Sequence, residues 1–266
     1  MKLLINEWRK YLKNTRSVII IPLILLLTLI IYFSTMHFVV THTSHSISKN
    51  DSNHVFLFSI AICYSFINFI SIIYSSNILS SEISKGTIKF ILTRPYQRYK
   101  ILLAKIAAIT ILMPVFLIIS VIVSLLLHIL TIHQMPEISI ILKYTGIHSI
   151  FILAITIFFT AFALMLSSVF NSSALVTGSC IVYYFFADNL WGIINFFYLH
   201  LPEDGWIYKL NPLNVNSYLI ELMAGAVEKP VQSEFFITLA ANIVYALIFF
   251  LIATLIFRRR DISLSN

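Results

Sequence analysis

Six long apolar runs divide the chain and restrict it to one kind of fold. The hydrocarbon core of a bilayer is about 30 Å thick, and a helix of about 20 residues crosses it. Each run reaches that length, and none shows the alternation over about ten residues that marks the strands of a membrane β-barrel. The sequence therefore predicts a single all-α integral membrane domain over residues 1–266. The predicted spans are residues 17–40, 55–80, 101–132, 144–170, 174–198 and 235–257.

The composition excludes a water-soluble fold. Hydrophobic residues make up 59% of the chain and charged residues only 11%, with a mean hydropathy of +0.92. An average soluble domain carries about 25% charged residues, so this chain has too little polar surface to cover a soluble fold. Cys63 and Cys180 each lie inside an apolar run. We expect them to be small core residues rather than a disulfide pair.

Basic residues are concentrated on one side of the predicted membrane. Fourteen of the eighteen lie before the first span, in or beside the loop between the second and third spans, or after the last span. Short segments rich in Lys and Arg stay in the cytoplasm. We therefore predict a multi-pass protein of the bacterial cell membrane with both termini in the cytoplasm. We attribute the formal charge of +7 to an attraction between these basic segments and the anionic lipids of the inner leaflet, and not to a nucleic acid partner.

Residues 1–16 predict an amphipathic elbow helix before the first span. Trp8, Tyr11 and Leu12 recur with Leu4 at helical spacing, and basic residues take the opposite side. Trp and Tyr favour the headgroup region, so the helix is expected to lie in the inner interface. It is either an anchor that only fixes orientation or an elbow that meets a cytoplasmic partner.

The loop of residues 81–100 is predicted to contain a short docking helix. Ile83, Thr87 and Phe90 fall on one helical stripe, with Gly86 in mid-helix at a cost of about 1 kcal/mol relative to Ala. So marginal a helix is better explained if another protein packs against it. The alternative is an ordinary basic loop that only sets orientation. The candidate docking residues are Glu82, Ile83, Gly86, Thr87, Phe90, Ile91 and Arg94.

The loop of residues 199–234 is predicted to carry short helices at the outer leaflet. Val215, Tyr218 and Leu222 form an apolar face, and Gly225 is suited to end such a helix. The helix lies at, or dips into, the outer interface. It either caps a pathway between two subunits or serves as a passive interfacial plug, because an amphipathic sequence fits both.

Few polar residues in the spans suggest chemistry. Asp188 is the one acid deep in a predicted span, which makes it a candidate for a pathway together with Asn189. His42 and His45 could share a helical face and are weak candidates for a metal, but a persuasive site needs three or four ligands. We therefore predict no metal site. All eight histidines of the chain are alternatively wet groups at the interface.

These elements together resemble the membrane subunit of an ATP-binding-cassette (ABC) exporter of the type-2 permease family. That family has an N-terminal amphipathic helix, six spans, a coupling helix between the second and third spans, and small helices before the sixth. The same order covers essentially the whole chain. The most specific local match consists of Glu82, Gly86-Thr87, Leu92, Arg94-Pro95, Arg98 and Lys105.

The resemblance implies a transport subunit rather than an enzyme. A separate cytoplasmic ABC ATPase would dock on residues 83–92 and hydrolyse ATP with Mg, since this chain lacks the GxxxxGK[ST] motif. The chain itself would bind no cofactor. A second copy or a homologous permease would complete the pathway. The short outer loops favour a compact exporter of a drug, a lantibiotic or an amphipathic peptide, as in bacteriocin immunity.

The sequence alone leaves three other functions open. A non-transporting scaffold or sensor would also recruit an ATPase. A secondary carrier usually shows repeated halves and charged residues at mid-membrane, whereas this chain has no obvious repeat and one candidate acid, Asp188. An intramembrane enzyme is disfavoured, because the sequence has no HExxH, GxSxG or paired Glu motif.

Overall fold

The structure is a computed structural model that describes residues 2–13, 15–42, 49–87, 97–133, 135–170, 172–194 and 232–259. Within these ranges the chain is all-helical, with no strand, as the length of the apolar runs predicts. The helices are α1 (Lys2–Lys13), α2 (Thr15–His42), α3 (Lys49–Ser84), α4 (Arg98–Ile132), α5 (Ile138–Val169), α6 (Ser173–Ile194) and α7 (Gln232–Arg259).

Five of the six predicted spans are confirmed. The described parts of α2, α3, α4, α5 and α7 are long and apolar enough to cross a membrane. The predicted fifth span, residues 174–198, is helical over Ser173–Ile194, but its clearly apolar stretch is the shorter Ser173–Phe186. Residues 195–198 lie outside the described ranges. The chain is therefore a multi-pass membrane protein, and its sixth crossing stays a prediction.

The helices α3 and α4 are much longer than a hydrocarbon layer. They contain 36 and 35 residues, which at about 1.5 Å per residue gives each a length of roughly 50 Å. Both must therefore tilt or extend beyond the layer of about 30 Å. α4 is continuous through Pro114. The kink or tilt that the sequence predicts at this proline stays a prediction.

The core of the bundle is built around α5, which packs most extensively against α7 and α3. Phe158 of α5 is buried at the centre of an aromatic cluster, with ring centroids 5.9 Å from Tyr183 of α6 and 5.7 Å from Phe249 of α7. Large apolar side chains also cover the outside, where Leu130 and Leu142 are 69% and 70% exposed. An outer surface of this kind suits lipid rather than water.

The two cysteines and a Ser–Thr pair are small residues that lie within the helix bundle. Cys63 and Cys180 are both buried and free, which confirms that they are core residues and not a disulfide pair. Ser76 of α3 and Thr177 of α6 join their helices through hydroxyl oxygens 3.0 Å apart. Such interhelical hydrogen bonds stabilise helix packing in membranes.

Gly86 ends α3 instead of continuing a docking helix. Its φ is +68°, and its N–H donates to the carbonyl of Ile83 at 3.0 Å, while the N–H of Lys85 donates to that of Ser81 at 3.2 Å. A left-handed glycine is a common way to stop a helix, because the missing Cβ removes the steric penalty. The prediction that Gly86 lies in mid-helix is therefore wrong. The rest of the predicted docking helix, residues 88–96, falls outside the described ranges.

Candidate functional site

Three charged side chains from three helices meet near the end of α3 and the start of α4. The Nζ atom of Lys105 on α4 lies 2.7 Å from Oε2 of Glu82 on α3 and 3.4 Å from Oε2 of Glu7 on α1. The Lys105 side chain is fully buried, and those of Glu82 and Glu7 are only 5% and 12% exposed. We call these three residues the ion cluster.

Helix ends bring these residues together. Glu82 lies in the last turn of α3, and Lys105 lies about two turns from the start of α4. The Lys105 ammonium also donates to the carbonyl of Ile78, one turn before Glu82, at 3.3 Å. The Lys105 ammonium is thus ion-paired with Glu82 and donates hydrogen bonds to Glu7 and to the carbonyl of Ile78. A buried charge is tolerated when it is paired and hydrogen-bonded in this way.

The electrostatics of the ion cluster make it a rigid connection. Taking each ion out of water costs several kcal/mol, so a buried cluster adds little net stability but penalises any loss of a partner. Removing Lys105, the one cation, leaves two largely buried carboxylates without a counter-ion, at a cost of about 3–5 kcal/mol. The cluster therefore holds α1 against α4, and it fixes the end of α3 relative to the start of α4.

A second polar connection ties α4 to α7. Nη1 of Arg98 donates to the carbonyls of Phe257 at 2.7 Å and Arg258 at 3.3 Å, and the guanidinium lies 5.8 Å from the centroid of the Phe257 ring. The last carbonyls of a helix have no partner within it, and a cationic side chain satisfies them. Polar contacts thus connect α1, α3, α4 and α7 at one end of the bundle, which we call the basic end.

The predicted docking residues divide into two groups in the structure. Glu82 is only 4% exposed and contacts Lys105, and Ile83 packs partly buried against the core. Thr87 is exposed, and its hydroxyl donates to the carbonyl of Glu82 at 3.3 Å. Glu82 and Ile83 thus make contacts inside the protein, whereas Thr87 presents its side chain to the outside. Gly86 forms the turn between them, while Phe90, Ile91 and Arg94 lie outside the described ranges, so ATPase docking stays a prediction.

A helix is present where the elbow was predicted. It covers Lys2–Lys13, within residues 1–16, and Trp8 on it is partly buried. The side chains of Tyr11 and Leu12 are outside the described part of the chain. The placement of this helix in a membrane interface therefore stays a prediction.

The pathway and metal candidates are placed only in part. Asp188 and Asn189 belong to α6, and His42 is the last residue of α2. The structure describes the backbone of these three residues but not their side chains. His45 and most of the loop of residues 199–234, including its predicted helices, are also outside it. The described residues contain no group of three or more His, Cys, Asp or Glu that could hold a metal ion.

Two histidines are core residues rather than wet interfacial groups. His128 and His148 are both fully buried. Nδ1 of His128 lies 3.3 Å from the Tyr32 hydroxyl, and the His148 ring packs at 5.2 Å from the ring of Tyr64. The interfacial alternative is therefore wrong for these two, because each imidazole joins a pair of helices inside the bundle.

Sequence reasoning missed Glu7 and misplaced Lys105. Glu7 is the one acid among residues 1–16, and it lies three residues after Leu4 and four before Tyr11, on the apolar stripe of α1. An acid at that position in a basic helix is a signal for a buried ion pair. Lys105 was counted with the basic loop, but the structure buries it between Glu7 and Glu82. The predicted orientation does not depend on Lys105, because the other basic residues still lie mainly on the predicted cytoplasmic side.

The chain matches a known family over nearly its whole length. The family model described as ABC-2 family transporter protein matches residues 1–262. No curated protein matches the sequence. The permeases of this family are transmembrane subunits without an ATPase of their own and associate with an ABC ATPase partner. The chain therefore belongs to the ABC-2 transporter family and is a membrane permease of an ABC transporter.

Proposed function

We propose that this permease couples ATP hydrolysis by a separate cytoplasmic ATPase subunit to the export of a hydrophobic or amphipathic substrate. The substrate class comprises drugs, lantibiotics and antimicrobial or other amphipathic peptides. The ATPase binds the ATP and Mg and docks on the loop of residues 81–100. Two permeases, identical or homologous, enclose the pathway in the bacterial cell membrane.

The ion cluster is the observation that carries this proposal. A subunit driven by a partner needs a surface loop whose displacement moves the spans instead of deforming locally. In the sequence, Glu82 precedes residues 88–96 and Lys105 follows them. The Nζ atom of Lys105 lies 2.7 Å from Oε2 of Glu82. A force on either end of the loop is therefore passed to α3 and α4 together. Through Glu7 it also reaches α1, which supports the reading of the elbow as a coupling element.

Charge supports the cytoplasmic orientation of the basic end. Arg9, Lys85, Lys100 and Arg258 are all exposed there. At the opposite end of α4 and α5, the exposed Lys143 has the exposed acid Glu137 nearby in sequence. An excess of cations at one end is the feature that keeps that end on the cytoplasmic side of a membrane.

Reconstitution with the partner ATPase tests the proposal. The permease and its co-purified ATPase, placed together in proteoliposomes, are expected to move at least one of a lantibiotic, a labelled cationic amphipathic peptide and a hydrophobic dye. Movement should require ATP and stop with vanadate or with an ATPase whose P-loop Lys is replaced. Association without ATP-driven movement of any of the three would favour a scaffold or sensor. Movement driven by an ion gradient without the ATPase would favour a secondary carrier.

A further inference from the structure

A cleft opens between α4 and α7 at the basic end of the bundle. Its volume is about 510 Å³. Two arginines, Arg98 and Arg258, line it together with the polar side chains of Gln97 and Thr254. The described residues of its lining include no carboxylate, and the exposed Arg258 gives the cleft a positive group that suits an anion.

The two arginines contribute differently. Arg98 is held in place by the carbonyls at the end of α7, so its guanidinium charge has a fixed position in the wall. Arg258 is exposed. A guanidinium carries five N–H donors in a planar fork that matches the oxygens of a phosphate group. Arg258 can therefore turn its fork toward an anion in the cleft, whereas Arg98 shapes the wall.

The surroundings of the cleft are apolar on the side that faces lipid. Leu251 and Leu255 of α7 are 59% and 58% exposed, and Arg258 continues their stripe at helical spacing. On α4, Tyr99 and Leu103 are 45% and 46% exposed, one turn apart. An exposed apolar stripe that ends in Arg or Tyr is typical of a helix reaching the headgroup level. The cleft thus lies at the boundary between hydrocarbon and headgroups.

We propose that this cleft binds the phosphodiester headgroup of an anionic phospholipid of the inner leaflet. Arg258 donates to the phosphate oxygens, and Tyr99 in the wall contacts the glycerol and the first acyl carbons. Basic pockets between membrane helices on the cytoplasmic side bind headgroups in this way. A free phosphate or an acidic peptide would gain nothing from the lipid-facing rim. The site goes beyond the proposed export function, because the lipid ties α4 to α7 whatever the cargo is.

Native mass spectrometry of the full-length permease, titrated with lipid in detergent, tests the site. We expect phosphatidylglycerol to bind about tenfold more tightly than zwitterionic phosphatidylcholine, because both lipids carry the phosphate but the choline cation cancels its charge and is repelled by the arginine. Arg258→Gln should remove most of this preference. Thr254→Phe, which fills the cleft without changing charge, should lower phosphatidylglycerol binding as well. Lys143→Gln, an equal loss of charge at the opposite end, should have no effect.

Several outcomes would overturn the proposal. One is wild-type phosphatidylglycerol binding by both Arg258→Gln and Thr254→Phe, with melting temperatures showing that both variants are folded. Another is an equal loss in Lys143→Gln, which would mean general attraction of anions to the protein. Full competition by inorganic phosphate at the same concentration would assign the cleft to a free anion. Weaker ATPase binding by Arg258→Gln with unchanged lipid binding would assign it to the protein partner.

Discussion

Replacing Lys105 by methionine is expected to destabilise the permease by about 3–5 kcal/mol, because the substitution leaves two buried carboxylates without their counter-ion. Glu7 and Glu82 would then repel each other at the junction of α1, α3 and α4. Thermal unfolding in detergent, followed by tryptophan fluorescence, measures the effect. A loss of this size lowers the melting temperature of a chain of this length by roughly 10 °C.

Two further variants distinguish the effect of breaking the ion cluster from the effect of losing a positive charge at any position. Lys85→Met removes the same charge from an exposed position and should change stability by no more than about 0.5 kcal/mol. The double variant Glu82→Gln with Lys105→Met should be less damaged than the two single effects added together, since the pair is in contact. Additive losses, or an equal loss in Lys85→Met, would contradict the structural role of the cluster.

Replacing Phe90 and Ile91 together by serine is expected to weaken ATPase binding about 100-fold, while the permease still inserts and folds. Apolar anchors at the centre of an interface often contribute more than about 1.4 kcal/mol each, and each such loss is tenfold in affinity. These two residues are a sharper choice than Glu82 and Ile83, whose side chains contact the inside of the permease. Affinity is measured with the permease in nanodiscs and the purified ATPase in solution.

A matched control loses the same kind of apolar surface elsewhere. Ile138 and Leu142 are 66% and 70% exposed at the opposite end of the bundle, one turn apart on α5. Their double replacement by serine should leave ATPase binding unchanged. Unaltered binding by the Phe90 and Ile91 variant would remove the docking role from this loop, and an equal loss in the control would show that the effect is not local.

The fold was largely predictable because run length alone decides which segments cross a membrane. The described helices follow the apolar runs, since every backbone group in hydrocarbon must find its hydrogen bond within the helix. The prediction that failed in this part placed Gly86 in mid-helix. Helical periodicity places Ile83 and Thr87 on one stripe, but it carries no information on the backbone angles of the glycine between them, and φ of +68° breaks the stripe.

The ion cluster could not be derived from local patterns. Glu7 and Lys105 are 98 residues apart, and their contact depends on how α1 packs against α4. Counting charges placed Lys105 in the basic loop, because a cation at the end of an apolar run is usually solvated. The resemblance to the permease family pointed to Glu82 and Lys105 separately, and only the packing of α3 against α4 shows that they form a pair.

The loop that contains Thr87 is expected to face the cytoplasm and to contact the ATPase. A photo-crosslinking benzophenone side chain placed at Thr87, with Met135 as the control at the other end of α4, tests this claim in intact membranes. Both positions are exposed, Met135 at 65%. We expect a crosslink between the Thr87 position and the co-expressed ATPase, and none from the Met135 position. A crosslink from the Met135 position alone would contradict this expectation.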